Sequence, residues 1–290
     1  MEKAIHWYPG HMAKAYRIIK EKIDLVDVVI EVLDSRAPYA SLNKSIKEVI
    51  GNKPLLLVLN KCDLSDRCET EKFLKELNKE AYAISLDSLN GTKNINTISN
   101  AIDILLKEKI EKANAQGKKI YPIRAMVMGI PNVGKSTLLN NLAKRKALET
   151  GDRPGITKNM QYLRANDKLL LLDNPGTLWP KFESENQANL IALIGSIKDE
   201  ILPIPQVANF GLDLLKELYP DMLKTRYKLD SLEKTNDDIF MEIGKKRGAV
   251  VRGGEIDLDK TYDIFLRELR SGKIGAMTFE RQSWSLYIRK

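Results

Sequence analysis

Short, almost wholly apolar runs alternate in the first part of the chain with segments whose apolar residues recur every three or four positions. The runs are typical of strands buried on both faces of a parallel sheet, and they are Val28–Leu33, Pro54–Leu59, Ala81–Leu86, Ile123–Met128 and Leu169–Leu172. The strongest helical stripe consists of Ile95, Ile98, Ile102, Leu105, Leu106 and Ile110. This alternation predicts an α/β fold with a mostly parallel sheet.

Helical patterns dominate from Val207 to the end of the chain. Their apolar stripes are Leu214, Leu215 and Leu218, then Ile239, Phe240 and Ile243, then Tyr262, Phe265, Leu266 and Leu269. We therefore predict an α/β domain over residues 1–180, a linker over 181–206 and a helical domain over 207–290. Within the linker we expect a helix over Gln187–Ile201, ended by Pro203 and Pro205.

Two further segments complete the predicted organisation. Residues 12–24 are expected to be helical, with Ile18, Ile19 and Ile23 as the buried stripe. Lys112–Lys119, which contains Gly117, is expected to be an exposed loop.

The segment Gly129–Ser136 carries the clearest chemistry, because it lies between a predicted strand and a predicted helix. Glycines at both ends let backbone N–H groups wrap a phosphate, Lys135 reaches the outer phosphates, and the Ser136 hydroxyl is suited to Mg²⁺. This phosphate loop predicts a nucleoside triphosphate site. Its candidate contacts are Gly129, Asn132, Val133, Gly134, Lys135, Ser136 and Thr137.

Asn60–Asp63, which follows the strand Pro54–Leu59, indicates guanine as the base. The Asp63 carboxylate is suited to accept from N1–H and the 2-amino group, which adenine lacks, while Asn60 would bond the base edge and Lys61 would cover its face. An ordinary turn at a strand end is the alternative for this segment alone. A weaker signal is Ser85–Leu86, where GTPases place a loop whose backbone N–H closes over the base.

Candidate switch residues follow the phosphate loop. Thr157, in Gly155-Ile156-Thr157, is expected to contact Mg²⁺ and the γ-phosphate. Asp173 would hold Mg²⁺ through water, and the Gly176 N–H would sense the γ-phosphate. The base-recognition segment thus precedes the phosphate loop, the reverse of the usual GTPase order. A circular permutation permits this, because all these loops lie at the carboxyl edge of one parallel sheet.

In these motifs the sequence resembles the circularly permuted ribosome-biogenesis GTPases. The resemblance runs nearly end to end and includes Trp7–Met12, Asp34–Pro38, Asn60–Asp63, Gly129–Ser136, Gly155–Lys158 and Asp173–Gly176 continuing to Lys181. It implies a circularly permuted P-loop GTPase domain followed by a helical RNA-binding domain. It also implies that Asn132 coordinates K⁺ and that His11 is swung in by a partner to position water; the alternatives are an Asn that tolerates the turn and a structural His. The Gln that Ras-like enzymes use is absent after Gly176.

The charge of the chain indicates a polyanionic partner. The formal net charge is +8, yet residues from Val207 onward hold sixteen Lys and Arg against fourteen Asp and Glu, so the surplus lies mainly in the GTPase half. The basic residues of that half concentrate over Lys107–Arg124 and Lys144–Lys168. We therefore expect RNA contact to span both domains; the alternative for each patch is a solvated basic surface. The two cysteines lack metal-ligand spacing, and no run approaches a membrane span, which indicates a soluble, cytoplasmic protein with free thiols.

These expectations combine into a GTP hydrolase acting in late assembly of the large ribosomal subunit, monomeric off the ribosome. It would bind the precursor and its rRNA with GTP and Mg²⁺, and leave as the GDP form after subunit-stimulated, K⁺-dependent hydrolysis. Catalysis is assigned to His11, Lys135 and Thr157. The alternatives are a GTP-gated RNA-binding switch on the small subunit or tRNA and, less well supported, a P-loop kinase.

We assign no chemistry to Asp34–Pro38, which could shape the site or be a surface Asp–Arg pair closing a turn.

Overall fold

The computed structural model describes residues 17, 19–43, 46–87, 89, 91–118, 120–142, 162–173, 182 and 184–282. Within these residues the fold is α/β, as predicted. Its strands are β1 (Val28–Asp34), β2 (Leu55–Asn60), β3 (Tyr82–Ser85), β4 (Ile123–Met128), β5 (Tyr162–Asn166) and β6 (Leu169–Asp173).

The described helices lie between these strands and, as predicted, make up the C-terminal part. They are α1 (Pro38–Ser41), α2 (Ile46–Ile50), α3 (Arg67–Leu77), α4 (Gly91–Leu105), α5 (Lys107–Ala115), α6 (Lys135–Leu142), α7 (Glu185–Leu193), α8 (Ile204–Leu218), α9 (Pro220–Tyr227), α10 (Asn236–Arg247) and α11 (Leu258–Arg270). Short 3₁₀ turns cover Ile23–Leu25 and Asp199–Ile201.

The strands form one sheet in the order β3-β2-β1-β4-β6-β5. All neighbouring strands are parallel except β5, which pairs antiparallel with β6 at the edge. The strand order reverses direction between β1 and β4, and ligands of such sheets bind in the crevice outside the carboxyl ends at this switch point. The topology therefore places the nucleotide loops where the motif spacing requires them.

The central strand β1 is buried along its whole length, which explains its continuous apolar run. Successive side chains point to opposite faces. Val28, Ile30 and Val32 join one hydrophobic cluster, and Val29 and Leu33 join the other. The first of these clusters continues into the C-terminal helices without a break, so the sheet and the helical part share one core.

The predicted helix Gln187–Ile201 is wrong at its C-terminal end, because α7 ends at Leu193. Gly195 has φ +80°, and its N–H donates to the Ala192 carbonyl while the Ser196 N–H donates to Ile191. This arrangement is a Schellman ending, which favours glycine at that position. Pro203 and Pro205 start the next helix rather than ending this one, since Pro203 is the N-cap of α8.

Two other predicted boundaries also differ. The loop expected from Lys112 begins later, because α5 continues to Ala115 through residues that favour helix, and Lys107 and Glu111 pair one turn apart. Of the helix predicted over residues 12–24, the part that the structure describes is helical up to residue 22, where Ile23–Leu25 tightens into a 3₁₀ turn.

The last described segment of the chain packs on the carboxyl edge of the sheet. The N–H of Met277 donates to the Leu64 carbonyl at 2.9 Å, and the N–H of Phe279 donates to the Arg36 carbonyl at 2.7 Å. The side-chain oxygens of Glu280 accept from the N–H groups of residues 39 and 40 at 2.8 and 3.0 Å, at the start of α1. Where the domain boundaries fall stays a prediction. None of the described helices is both long and apolar enough to cross a membrane.

Candidate functional site

The candidate site lies where β1, β2 and β4 end next to one another. In the register of the sheet Asp34 is paired with Asn60, and Glu31 is paired with Met128. The loops after these three strands therefore start side by side, although they are separated by up to about a hundred residues in sequence. Base-recognition and phosphate-binding segments meet here, as the motif order predicted.

The phosphate loop requires glycine where it leaves β4. Gly129 has φ +149°, and a Cβ atom there would lie 2.4 Å from the carbonyl oxygen of Val32 in β1. Asn132 has φ +59° and Gly134 has φ +95°, so the loop turns through left-handed backbone twice more. This path delivers the chain directly to α6, whose first residue is Lys135.

The residues at the start of α6 differ in exposure. Lys135 is buried, with 8% of its surface accessible. Ser136 and Thr137 are exposed, as a hydroxyl that meets a ligand must be. A helix N-terminus offers partial positive charge to phosphate, so the placement suits the predicted chemistry.

Asn60 is fully buried, and its amide nitrogen donates to the Val133 carbonyl at 2.7 Å. The amide thus bonds the phosphate loop, a contact that the sequence analysis did not anticipate; the predicted bond from Asn60 to the base edge stays a prediction. Lys61, at φ +61°, directs its ammonium to the Asn132 carbonyl at 2.6 Å. Side chains after β2 therefore hold the backbone of the phosphate loop at two adjacent residues.

Asp63 is exposed, as a group that binds a base must be before the base arrives. The carboxyl group is nevertheless partly desolvated. This desolvation and the neighbouring Asp87 carboxylate raise the pKa of Asp63 above its ordinary value, although the positive charges of Arg36 and Lys61 act in the opposite direction. Two nearby carboxylates give this corner of the site a negative potential. Such a potential favours the N–H donors of a guanine edge.

The segment after β3 is held against β2. The Leu86 N–H donates to the Leu59 carbonyl at 2.8 Å, and the Cys62 N–H donates to the Leu86 carbonyl at 3.2 Å. The Leu86 N–H is thus engaged within the sheet, so a base contact through this donor would require that bond to break. The predicted role of Ser85 and Leu86 stays a prediction.

The turn after β1 takes part in the site, although no chemistry was assigned to Asp34–Pro38. Asp34 and Arg36 form an ion pair at 2.8 Å, but it is not the surface pair that was one of the two alternatives, because 0% and 2% of the side chains are exposed. The Lys61 ammonium also donates to Asp34, at 2.9 Å. The available signal was position, because Asp34 ends an apolar strand at the same sheet edge as Asn60.

A second missed contact joins the phosphate loop to the end of α7. The Asn132 amide nitrogen donates to the Gly195 carbonyl at 2.7 Å. Arg36 reaches the same turn, where it donates to the Ile194 carbonyl at 3.3 Å. The predicted helix ran through Gly195, and nothing local in the sequence indicated that a turn here would lie against the nucleotide site.

Some predicted site residues lie outside the described residues. These are His11, Thr157 and Gly176, together with the flanking motifs Trp7–Met12, Gly155–Lys158 and residues 174–181. For Asp173 the structure describes the backbone, which pairs in the sheet with Val127, two residues before the phosphate loop. The predicted Mg²⁺ contacts therefore stay predictions.

The basic residues Lys245, Lys246, Arg247 and Arg252 of the helical part do not all contribute accessible charge. Arg247 pairs with Glu268 at 3.0 Å and lies over the Tyr227 ring, 5.0 Å from its centre. The Lys246 ammonium bonds the carbonyl of residue 228. Lys245, Lys246 and Arg252 are exposed, so the accessible charge comes from these residues rather than from Arg247.

Comparison with known proteins identifies the family. The chain is 45% identical to ribosome biogenesis GTPase A of Bacillus licheniformis, over 96% of this chain and 98% of that protein. The chain belongs to the ribosome biogenesis GTPase A family. The homologous protein of Thermotoga maritima is 30% identical over 95% of this chain and 94% of its own length.

Two other comparisons agree with membership in the ribosome biogenesis GTPase A family. Residues 124–224 match a family model described as a 50S ribosome-binding GTPase. A GDP-bound structure of TM YlqF superposes with a TM-score of 0.67 at 25% identity, covering 92% of this chain and 100% of the other. A GNP-bound YlqF from T. maritima gives 0.63 at 27% identity, with coverages of 92% and 98%.

The family assignment confirms three predictions. The fold is a circularly permuted P-loop GTPase domain with C-terminal helices, the ligand is a guanine nucleotide, and the enzyme is a GTP hydrolase. The individual roles of the site residues remain proposals.

Proposed function

We propose that this GTPase binds a precursor of the large ribosomal subunit and its rRNA in the GTP form and leaves after hydrolysis. The observation that supports the nucleotide switch most directly is the pair of bonds from Asn60 to Val133 and from Lys61 to Asn132, at 2.7 and 2.6 Å. They join the base-recognition segment to the phosphate loop, so both segments can hold one nucleotide. The family description as a 50S ribosome-binding GTPase supports the large subunit as partner.

In this proposal the triphosphate lies on the phosphate loop and the N-terminus of α6. Backbone N–H groups from Gly129 to Thr137 wrap the phosphates, and Lys135 neutralises the charge that develops during transfer. Asp63 selects guanine, because adenine would leave its carboxylate without donors. Asn60, Lys61, Ser85 and Leu86 shape the base pocket.

Mg²⁺ is proposed to be held by Ser136, Thr157 and Asp173, the last through water. The exposed hydroxyl of Ser136 fits such a site, and a strand carboxylate beside β4 is the kind of hard oxygen donor that Mg²⁺ takes. The ion would supply charge neutralisation on the β- and γ-phosphate oxygens.

K⁺ is proposed to be coordinated by Asn132. The amide nitrogen of this residue is engaged by the Gly195 carbonyl, so the amide oxygen is the atom that a cation would take. The ion would supply positive charge of the kind that an arginine finger provides, a contribution of about 10³ to 10⁵ in rate.

Hydrolysis is in-line attack by water on the γ-phosphate, with GDP as leaving group. Lys135 and Thr157 contact the transferred group, and His11, swung in by the partner, positions the water. Without that partner the water-positioning group is not assembled. The isolated protein is therefore expected to turn over slowly.

The remaining proposals concern the context of the enzyme. Residues 1–180 form the GTPase domain, 181–206 connect, and 207–290 form an RNA-binding domain whose exposed cations act together with those of the GTPase half. The protein acts in the cytoplasm as a monomer when it is off the ribosome. A net charge of +8 supports RNA as the direct partner.

The test is phosphate release from GTP in K⁺ and in Na⁺ buffer, with purified large subunits, with small subunits, with tRNA and alone. Stimulation by large subunits alone, and more in K⁺ than in Na⁺, is expected. Stimulation by small subunits or tRNA instead would favour a GTP-gated switch on those RNAs. No stimulation by any of them would contradict the assembly role.

A further inference from the structure

The Lys61 ammonium is held by two acceptors on different segments of the site. It donates to Asp34 Oδ2 at 2.9 Å and to the Asn132 carbonyl at 2.6 Å. An ammonium has three N–H donors and can satisfy both acceptors at once. These two bonds fix the ammonium, and about a fifth of the Lys61 side chain remains exposed.

Asp34 is built to make this bond in one orientation. Its carboxylate accepts from Arg36 in the two-pronged geometry, Nε to Oδ1 at 2.9 Å and Nη2 to Oδ2 at 2.8 Å. The Arg36 N–H adds a third bond to Oδ1, at 3.1 Å, and the Asp34 N–H donates to Ser41 at 3.0 Å. Neither oxygen of the carboxylate can turn away from Lys61 without breaking a bond.

The charge of Asp34 is secured by the same contacts. Burial alone would raise the pKa of Asp34, but the charges of Arg36 and Lys61, with their hydrogen bonds, hold this pKa well below its usual range. The carboxylate is therefore ionised wherever the protein is folded at neutral pH. A surface ion pair that closes a turn would need neither this burial nor the second cation.

Arg36 is in turn oriented by groups distant in sequence. It donates through Nη1 to the Arg270 carbonyl at 2.9 Å and through Nη2 to the Ile194 carbonyl at 3.3 Å. Its guanidinium is 2% exposed. A planar guanidinium bonded on two sides cannot rotate, so it presents its fork to Asp34 in one geometry.

We propose that Asp34 is a positioning residue of the guanine-nucleotide site, which fixes the Lys61 ammonium between the base-recognition segment and the phosphate loop, with Arg36 orienting the carboxylate. The proposal rests on the proposed role of Asn60–Asp63 in base binding. Lys61 has a left-handed backbone conformation, which is unfavourable for residues other than glycine. The bond to Asp34 offsets that strain. Loss of the bond frees the Lys61 stem and loosens Asn132, so bound nucleotide dissociates faster.

The test is a double-mutant cycle on GDP affinity with Asp34→Asn, Lys61→Met and the double variant. Lys61→Met keeps an apolar stem of similar length and removes the ammonium. Asp34→Asn is expected to weaken GDP binding about 10- to 100-fold, as for loss of a charged hydrogen bond, and to change it less than about threefold in the Lys61→Met background. Equal weakening in both backgrounds, or none in either, would overturn the positioning role.

A matched control and a second variant keep the result interpretable. Glu69 and Lys72 form a pair at 2.7 Å on α3, and Glu69→Gln is expected to leave GDP affinity unchanged. If Asp34→Asn does not fold by circular dichroism, Asp34→Asn/Arg36→Gln removes both buried charges, and the same cycle is run on that background with the same two outcomes. Absence of GDP binding by the unsubstituted protein would instead contradict the proposed function itself.

Discussion

The side-chain amide nitrogen of Asn132 lies 2.7 Å from the carbonyl oxygen of Gly195 and donates a hydrogen bond to it. Asn132 belongs to the phosphate loop, and Gly195 belongs to the turn that ends α7. The carbonyl before it, Ile194, accepts from Arg36 at 3.3 Å, and Arg270 donates to the last carbonyl groups of the helix at 2.9 and 3.0 Å. The geometry of the nucleotide site is therefore joined to the packing of the C-terminal helices.

Asn132→Gly is expected to abolish the dependence of turnover on K⁺. Glycine adopts the φ of +59° at this position without strain, so the variant removes the amide and leaves the loop conformation available. Subunit-stimulated phosphate release should fall in K⁺ to the rate seen in Na⁺. A variant that still turned over faster in K⁺ would remove Asn132 from cation binding.

Asp63→Asn is expected to shift the preference of the site from guanine to xanthine nucleotides. The amide nitrogen of Asn is a donor, which suits the 2-carbonyl of xanthine and opposes the 2-amino group of guanine. Competition between GDP and XDP for a fluorescent nucleotide measures the change, which should exceed about 100-fold in relative affinity. Asp87→Asn, which removes the neighbouring carboxylate, is the control and should keep guanine preference; retained preference in Asp63→Asn would refute the assignment.

His11→Ala is expected to leave nucleotide binding intact and to remove stimulation of turnover by large subunits. The reason is that a water-positioning group acts in the transition state and contributes about 10²- to 10⁴-fold to the rate, without holding the ground-state nucleotide. The chain has two histidines, and His6→Ala is the matched control. Equal stimulation of His11→Ala and His6→Ala would exclude His11 from the mechanism.

Gly129→Ala is expected to destabilise the fold by about 3 kcal/mol or more, because a Cβ there meets the Val32 backbone as well as an unfavourable φ. Gly51→Ala separates the two effects, since Gly51 has φ +59° and nothing within 4 Å of its added Cβ. That control should cost about 1 kcal/mol. Urea unfolding of both variants measures the difference, and equal costs would show that the close approach to β1 is unimportant.

Glu280→Gln is expected to flatten the dependence of stability on pH. Burial raises the pKa of Glu280 to about 8, against two N–H donors that favour the charged form, while the ordinary value is 4.5. The folded protein thus keeps a proton that the unfolded chain releases above pH 4.5. This stabilising contribution is complete below pH 4.5 and is lost as the pH rises through about 8, with a slope of at most about 1.4 kcal/mol per pH unit.

The measurement for Glu280→Gln is the free energy of unfolding in urea at several pH values between 5 and 8. Glu31 is equally buried, and its pKa is also raised to about 8, so Glu31→Gln is the comparison for a buried carboxyl that accepts from the N–H of residue 43 instead of residues 39 and 40. Each variant should remove one part of the slope. An unchanged slope in Glu280→Gln would mean that Glu280 is ionised in the folded protein throughout this range.

Element type and motif placement could be predicted because they depend on short stretches of chain. Continuous apolar runs gave the central strands, and Gly129–Ser136 leads from the end of β4 into the first turn of α6 as its spacing required. The errors fall at helix boundaries and at β5, the antiparallel edge strand, whose sequence Tyr162–Asn166 is not a continuous apolar run and was not predicted. α7 ends at Leu193 because Gly195 allows a Schellman turn, and α5 continues to Ala115 because its residues favour helix without burying a face.

The nucleotide-binding motifs and their permuted order follow from local sequence, since the carboxyl ends of parallel strands meet at one edge however the chain is cut. The contacts of Asp34, Arg36 and Gly195 became known from the folded protein alone. Apart from the Asp34–Arg36 pair, the decisive partners lie far away in sequence, at separations of 27 positions for Asp34 and Lys61, 234 for Arg36 and Arg270, and 63 for Asn132 and Gly195. Such contacts depend on how whole helices pack on the sheet, and residue type and local spacing carry no record of that packing.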